Sequence, residues 1–565
     1  MEAADDEFAF LQTENGLVEK QTLPLTIQKL IQKYQHSYST SQGEGEMNTI
    51  HVDEIASKVA AVYEKIRKIV DWKEEHLIRR AAIERILKRR LLSEISGINL
   101  ITNLDAKKMA EPLVLELIRG GHFPNDTIQR EKINDTQRIL QKYIYILKNN
   151  KLAKNHAPIK IKEKVQFYNW ILGIAACEIE ELLGPAIKEN ALIEYMTNLV
   201  IARLKPDPRL KISQEEKIIQ TYIAVHRALF RLDAPIISYH LIKYRYREFL
   251  RLSESQLEQI TTNIFKIWAQ IEKDLAHPIA GEFYKICEKY DTPYLVLGDI
   301  LEVFAKKPWV IEENLSDPQN LKKLILKAYN KRLSTLKKRL FRAALYSTLS
   351  ILIASGFSLF IIEVPLAKLF YGRFSPLAVA VDILVPTLFM FFLVVTIKLP
   401  KEANLHRVIT EVGKIVYITE RKDVCEIRLP KKRGLIGSFI ISFLYLLGCG
   451  SSLALIVWIF WVARVPIPSV ILDTINVAMI VFAGLVIRQR AKEMIIEEKI
   501  SFWEFSLDFL SVPIGKIGQW FSSKWKEYNI ISVFLTALVD MPFSTFIEFV
   551  ENWSSFLKEK KAGIH

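Results

Sequence analysis

The sequence predicts an all-α membrane protein: a helical cytoplasmic domain, then a four-helix transmembrane bundle, then interfacial C-terminal helices. Three observations carry that prediction. Apolar residues before position 343 recur at spacings of three and four, the period of amphipathic helices. Residues 343–487 hold long uncharged runs although a quarter of the whole chain is charged, so soluble and membrane compositions are segregated. Four of the ten tryptophans (Trp503, Trp520, Trp525 and Trp553) follow residue 500 among Phe and Lys, and such rings settle in the headgroup zone.

Taken in order, the first residues (Glu2, Asp5, Asp6 and Glu7 among them) lack the basic and apolar blocks of a cleavable signal. The N-terminal domain is therefore expected on the side where it is made. Residues 1–48 read as a flexible tail with one short helix near 25–34. From Thr49, the stripe Ile55, Val59, Val62, Ile66 and Val70 predicts a helix, and a second over 74–95 completes a hairpin. The pattern continues over 131–149, 161–183, 213–230, 253–274 and 278–288. Gly120, Gly121, Pro124, Pro206, Pro208 and Pro235 mark expected helix ends. Period-2 strands are few, and 49–342 forms one helical cytoplasmic domain.

The transmembrane domain, 343–490, follows from length. Residues 343–362 are uncharged for 20 positions, about 30 Å of helix, which matches the hydrocarbon thickness. Further spans are expected at 374–397, 435–463 and 465–487. The second and fourth carry one charge each, Asp382 and Asp473. Cationic flanks set the orientation. Lys337, Lys338, Arg339 and Arg342 close a run of nine basic residues between Leu321 and Arg342 that contains no acidic one. The cytoplasmic loop 398–434 carries ten basic residues, Lys431, Lys432 and Arg433 among them, whereas the two opposite loops hold Lys368, Arg373 and Arg464. Both termini are expected in the cytoplasm, with these cations meeting anionic headgroups. The loop itself predicts an amphipathic helix through Leu405, Val408, Ile409, Val412 and Val416 and a strand-like stretch at 425–429.

The Trp-rich C-terminal region, 491–565, reads as interfacial helices over 502–510 and 516–528. Residues 530–550 are apolar, but Asp540, Pro542 and Glu548 favour interfacial or re-entrant packing over a fifth span.

The net charge of +14 is first a matter of topology, because the basic excess abuts the apolar runs. Asp382 and Asp473 are the candidate functional residues. A carboxylate in hydrocarbon costs about 2.5–3.5 kcal/mol on insertion scales, so each needs a partner, a cavity or a proton path. Both follow a span-opening proline, Pro376 or Pro468, by five or six residues, which puts them at similar depth. They read either as a cation or proton site or, the favoured reading, as structural carboxylates bonded to polar side chains on neighbouring helices. The basic segment from Arg79 to Arg90 has no interleaved aromatic residue, so a solvated or partner-facing helix is favoured over nucleic-acid contact. Cys177, Cys287, Cys425 and Cys449 form no CxxC pair, and the ten histidines show no metal spacing. No phosphate loop, GxGxxG or GxSxG elbow occurs. No catalytic residue, metal or cofactor is expected.

The stretches His51 to Lys58, Tyr63 to Arg67, Glu75 to Arg90, Arg428 to Arg433 and Ser511 to Trp520 resemble a family of uncharacterised bacterial multi-pass membrane proteins. The resemblance implies a bacterial cytoplasmic membrane location and no particular activity. The expected function is a non-enzymatic scaffold or tether that meets the lipid bilayer and binds a cytoplasmic protein partner or a second copy of itself. An oligomeric ion- or proton-coupled transporter using Asp382 and Asp473 is the alternative, and a membrane-bound enzyme would require a deep polar pocket lined with titratable groups.

Overall fold

A computed structural model describes residues 22–43, 48–52, 75–94, 104–150, 161–210, 212–305, 307–358, 376–395, 399–417, 425–427, 434–462, 467–496 and 502–527, with scattered positions elsewhere. The described chain is predominantly helical, and it divides into two compact units. The expected helical stripe from Ile55 to Val70, residues 530–548 and the triplet Lys431, Lys432 and Arg433 lie outside the described residues, while Thr49, where that helix was expected to begin, forms an isolated antiparallel bridge with Gln129.

The first unit holds 22–316 and the short segment 416–429. Its helices are α1 (Leu25–Gly43), α2 (Glu75–Glu94), α3 (Ala106–Arg119), α4 (Glu131–Asn149), α5 (Ile161–Leu183), α6 (Ile187–Arg203), α7 (Gln214–Phe230), α8 (Ala234–Arg245), α9 (Glu254–Leu275), α10 (Ala280–Lys289), α11 (Asp291–Phe304) and α12 (Pro308–Ser316). Where the sequence shows a clear stripe, the predicted ends agree closely: α4 and α5 occupy 131–149 and 161–183. Local chemistry starts several of these helices. Ser213 with Glu216 and Ser253 with Gln256 form capping boxes, and Asp105 and Asp233 accept from first-turn amides.

Three differences have physical causes, and one further expectation is met. The tail helix near 25–34 extends to Gly43 as α1, and Ile27, Leu30, Ile31 and Tyr34 are buried, so this part of the tail is packed core. Pro235, read as a helix end, instead sits in the first turn of α8, where its missing N–H is harmless. Helices α6 and α11 gave no stripe because they are buried on several sides. Leu192, Ile193, Tyr195 and Met196 are all buried in one, and Val296, Leu297, Ile300 and Leu301 in the other. Finally, the strand-like segment is real: β2 (Cys425–Ile427) pairs in parallel with β1 (Leu204–Pro206), Leu204 facing Cys425 and Pro206 facing Ile427. Asp207 N–H continues the ladder to Ile427 O at 3.2 Å.

The second unit contains α13 (Pro318–Ser358), α14 (Pro376–Val395), nearly all of α15 (Glu402–Tyr417), α16 (Leu435–Val462), α17 (Ile467–Ala491) and α18 (Phe502–Glu527). Four spans were expected. Among the described residues two helical stretches are long and apolar enough to cross a membrane, Ile436–Val462 and Thr474–Met494. The others are shorter there: α13 ends its apolar stretch at Ser358, and the apolar part of α14 is Ile383–Leu393.

Glycines set the crossings. Gly484 faces Leu393, whose Cδ1 would lie 2.7 Å from a Cβ at that position. Val385 and Phe389 of α14 pack on the cluster that Val477, Ala478 and Val481 form with Ile456, Phe460 and Ile514, and with Leu393 further on at Gly484 this makes α14 and α17 run parallel. The C-terminal region departs from expectation. Two surface-lying helices were predicted, but α18 is continuous and packs antiparallel to α17. Gly518 meets Ala478, Gly515 meets Val481 and Leu485, and Asp508 pairs with Arg488 at 2.7 Å. Only such small residues let backbones approach this closely. On α16, Gly448 lies against the Phe509 carbonyl, the group whose helical donor Pro513 removes, and Ser452 Oγ donates to Leu510 O at 2.9 Å.

Candidate functional site

Polar chemistry in the first unit concentrates where α2, α5, α6 and α8 meet. Six basic residues lie between Arg79 and Arg90, and the structure turns most of them inward against carboxylates. Arg79 pairs with Glu180 at 3.0 Å, and Arg80 bridges Glu84 and Asp233, the latter at 2.5 Å. Lys88 reaches Glu84 at 2.6 Å, while Arg89 and Arg90 share Glu116. The solvated or partner-facing helix expected here is thus largely an internal one. Its partners come from as far as 153 residues along the chain, a separation that sequence spacing does not reveal.

Further pairs extend the network. Lys142 donates to Glu178 at 2.6 Å and stands over the Phe249 ring at 4.3 Å, and Tyr143 Oη donates to the same carboxylate at 2.7 Å. Burial lowers the Lys142 pKa, opposed by Glu178. Tyr239 and Lys243 both donate to Glu181. Charges taken from water need this completeness, because one partner alone would leave an uncompensated ion.

At the centre lies a cavity lined by Arg80, Cys177, Glu180, Glu189, Tyr239 and His240 among others. Its volume is about 30 Å³. A water needs at least about 10–15 Å³ on this measure, so the space takes one or two waters. Burial pushes the Glu180 carboxyl up to about 7 against the pull of Arg79, and burial raises the Cys177 thiol well above its ordinary range. A thiol held protonated is a poor nucleophile. Asp291, at the start of α11, is raised to about 8 by burial, and burial lowers His226 to about 3. His226 Nδ1–H donates to Tyr222 O at 2.7 Å, and its ring lies 5.0 Å from that of His240, a proximity the sequence did not reveal. Among the described residues no group of His, Cys, Asp and Glu is arranged to hold a metal ion.

The sequence-predicted residues are distributed as follows. Lys337, Lys338, Arg339 and Arg342 are exposed on α13. The backbones of Asp382 and Asp473 belong to α14 and α17, and their side chains lie outside what the structure describes. Each precedes the Leu393–Gly484 contact by eleven residues, so the two positions share one level of a parallel helix pair. The same unit has a second polar centre that sequence reasoning missed. Buried Asn404 donates to Tyr329 Oη at 3.1 Å and to Met494 O at 2.6 Å, and accepts from Ile496 N–H at 2.9 Å. One amide therefore joins α13, α15 and the turn after α17.

Helix α16 is the apolar surface of this unit. Just 17% of its most apolar stretch is buried within the chain. Gly448, Ser452, Ile456 and Phe460 face its neighbours, while Phe439, Phe443, Leu446, Trp458 and Trp461 are exposed. No family model matches the chain, and no curated protein or solved structure proves similar to it.

Proposed function

We propose that the chain is a multi-pass integral protein of a bacterial cytoplasmic membrane, with both termini on the cytoplasmic side and spans near 343–362, 374–397, 435–463 and 465–487. Its first unit serves as a non-enzymatic scaffold or tether for a cytoplasmic protein. The outward face of α16 carries the membrane part of this reading. Phe439 and Trp461 are each 73% exposed, and burying a large apolar side chain is worth about 1.5–3 kcal/mol. Five or more such residues left in water would forgo on the order of 10 kcal/mol, comparable to the whole stability of a domain. Acyl chains remove that penalty. The cations flanking 343 and filling 398–434 support the orientation.

The scaffold part rests on Val303 and Trp309, exposed at 60% and 71% on α11 and α12. Large apolar side chains left this exposed suit a protein partner. The inward pairing of the α2 cations supports a protein over a nucleic acid. Alkaline carbonate washing tests the anchor: the chain is expected to stay with the membrane, and release into the wash overturns the reading. Cross-linking in native membranes tests the scaffold. A partner joined to the wild type should be lost with Trp309→Ser, and unchanged cross-links would sink this surface.

A second reading, an oligomeric ion- or proton-coupled transporter, is favoured by the shared level of Asp382 and Asp473. Replacing both by Asn should then abolish coupled flux in vesicles while the protein still folds. Retained flux removes this reading.

A further inference from the structure

We infer that the membrane-proximal end of α13 selects anionic phospholipids through Lys337, Lys338, Arg339 and Arg342, while the five cations above them take no part. This rests on the proposed span beginning near Ala343. The 41 residues of α13 contain no Asp or Glu, so its nine cations lack the i,i+4 carboxylates that commonly accompany lysines on solvated helices. Leu336, Leu340 and Ala344 are buried at four-residue steps, which commits one side of the helix to packing. Lys338 and Arg342 lie four apart on the opposite side, with Lys337 and Arg339 beside them, and all four are exposed. Among the described residues no carboxylate pairs with any of the four. Arg342 Nε donates to Lys338 O at 3.3 Å, which leaves its terminal nitrogens outward.

Height decides which cations matter. At about 1.5 Å per residue, Arg342, Arg339, Lys338 and Lys337 stand roughly 2–9 Å from the Ala343 level. The headgroup layer is about 5–8 Å deep on each side of the hydrocarbon. Arg332, Lys331, Lys327, Lys323 and Lys322 stand roughly 16–32 Å away, beyond a Debye length of about 8 Å. A uniform cationic helix is thereby divided into a lower part within the field of the lipid and an upper part outside it. The matching ligand chemistry is a headgroup with net negative charge, such as phosphatidylglycerol. Phosphatidylcholine carries a phosphate without that net charge.

The full-length protein in phosphatidylcholine vesicles containing spin-labelled lipid gives the test. Labelled phosphatidylglycerol is expected at the protein surface at least about 3-fold above labelled phosphatidylcholine at about 0.15 M salt, where the Debye length is about 8 Å. The ratio should fall toward one near 1 M salt, where the Debye length is about 3 Å. Substituting Gln at 337, 338, 339 and 342 together should lower the preference by at least about half, leaving what the cations of 398–434 supply. The same change at 322, 323, 327 and 331 should keep it. Arg339→Lys with Arg342→Lys preserves charge and should keep it as well. Should the lower variant fail to insert, the salt response of the wild type and the upper variant decide the matter. Equal association of both lipids with an inserted wild type, or equal loss in the upper variant, overturns the inference alone; a wild type that does not insert overturns the membrane reading beneath it.

Discussion

Replacing Asn404 by Leu is expected to be the most damaging single conservative-volume change in the second unit. The side chain is 8% exposed and makes three hydrogen bonds to two other segments, one to α13 and two to the turn after α17. Each bond contributes a net of about 1 kcal/mol, and the larger cost is what the substitution leaves behind. Met494 O and Ile496 N–H lose their side-chain partner, and each orphaned backbone group costs about 1–3 kcal/mol where water cannot reach it. Partial access of water to the turn at 492–496 reduces the sum, giving about 2–4 kcal/mol. For a unit of this size, each 1 kcal/mol moves the midpoint by about 2–4 °C, so the melting temperature should fall by roughly 4–16 °C. Thermal unfolding of the full-length protein in detergent, followed by circular dichroism, measures the shift. Asn404→Asp should also destabilise, because a carboxylate cannot donate to Met494 O. A midpoint within about 1 °C of wild type for both variants would refute the assignment of Asn404 as the joint between α13, α15 and the turn.

Three more outcomes follow from named contacts. Glu180 holds its proton up to about pH 7 in the fold against an ordinary 4.5. The stability this gives is complete below about pH 4.5 and is lost as pH rises through 7, so Glu180→Gln should flatten the decline between about pH 5 and pH 8; hydrogen exchange of α5 amides reads it, and an unaltered slope contradicts the account. Arg80→Met leaves Glu84 to Lys88 and takes from Asp233 its Arg80 partner; it should cost about 1.5–3 kcal/mol, visible as a lower denaturation midpoint, with a change under about 0.5 kcal/mol counting against the network. Gly518→Leu drives a side chain into the Ala478 carbonyl and should separate α17 from α18 at a cost of about 1–3 kcal/mol. Protease sensitivity of α18 checks it, and wild-type resistance would show that the close approach is not required.

What the sequence determined by itself was local. The stripes of α4, α5, α7 and α9, the caps at Ser213 and Ser253, and the uncharged lengths of α16 and α17 are all set by residues within a few turns of one another. Period and capping act over that same range. Tertiary structure decided whatever depends on distant partners. The Arg79–Arg90 run read as exposed because its carboxylates, Glu116, Glu180 and Asp233, lie elsewhere in the chain. Helix α18 read as two interfacial helices because its tryptophans, set among Phe and Lys, were visible, while the fit of Gly515 and Gly518 on α17 was not. Strand β1 was illegible for the same reason, since three residues acquire a partner only when Cys425–Ile427 arrives. A buried charge or a close backbone contact is stable only in company, and the sequence does not record which company the fold supplies.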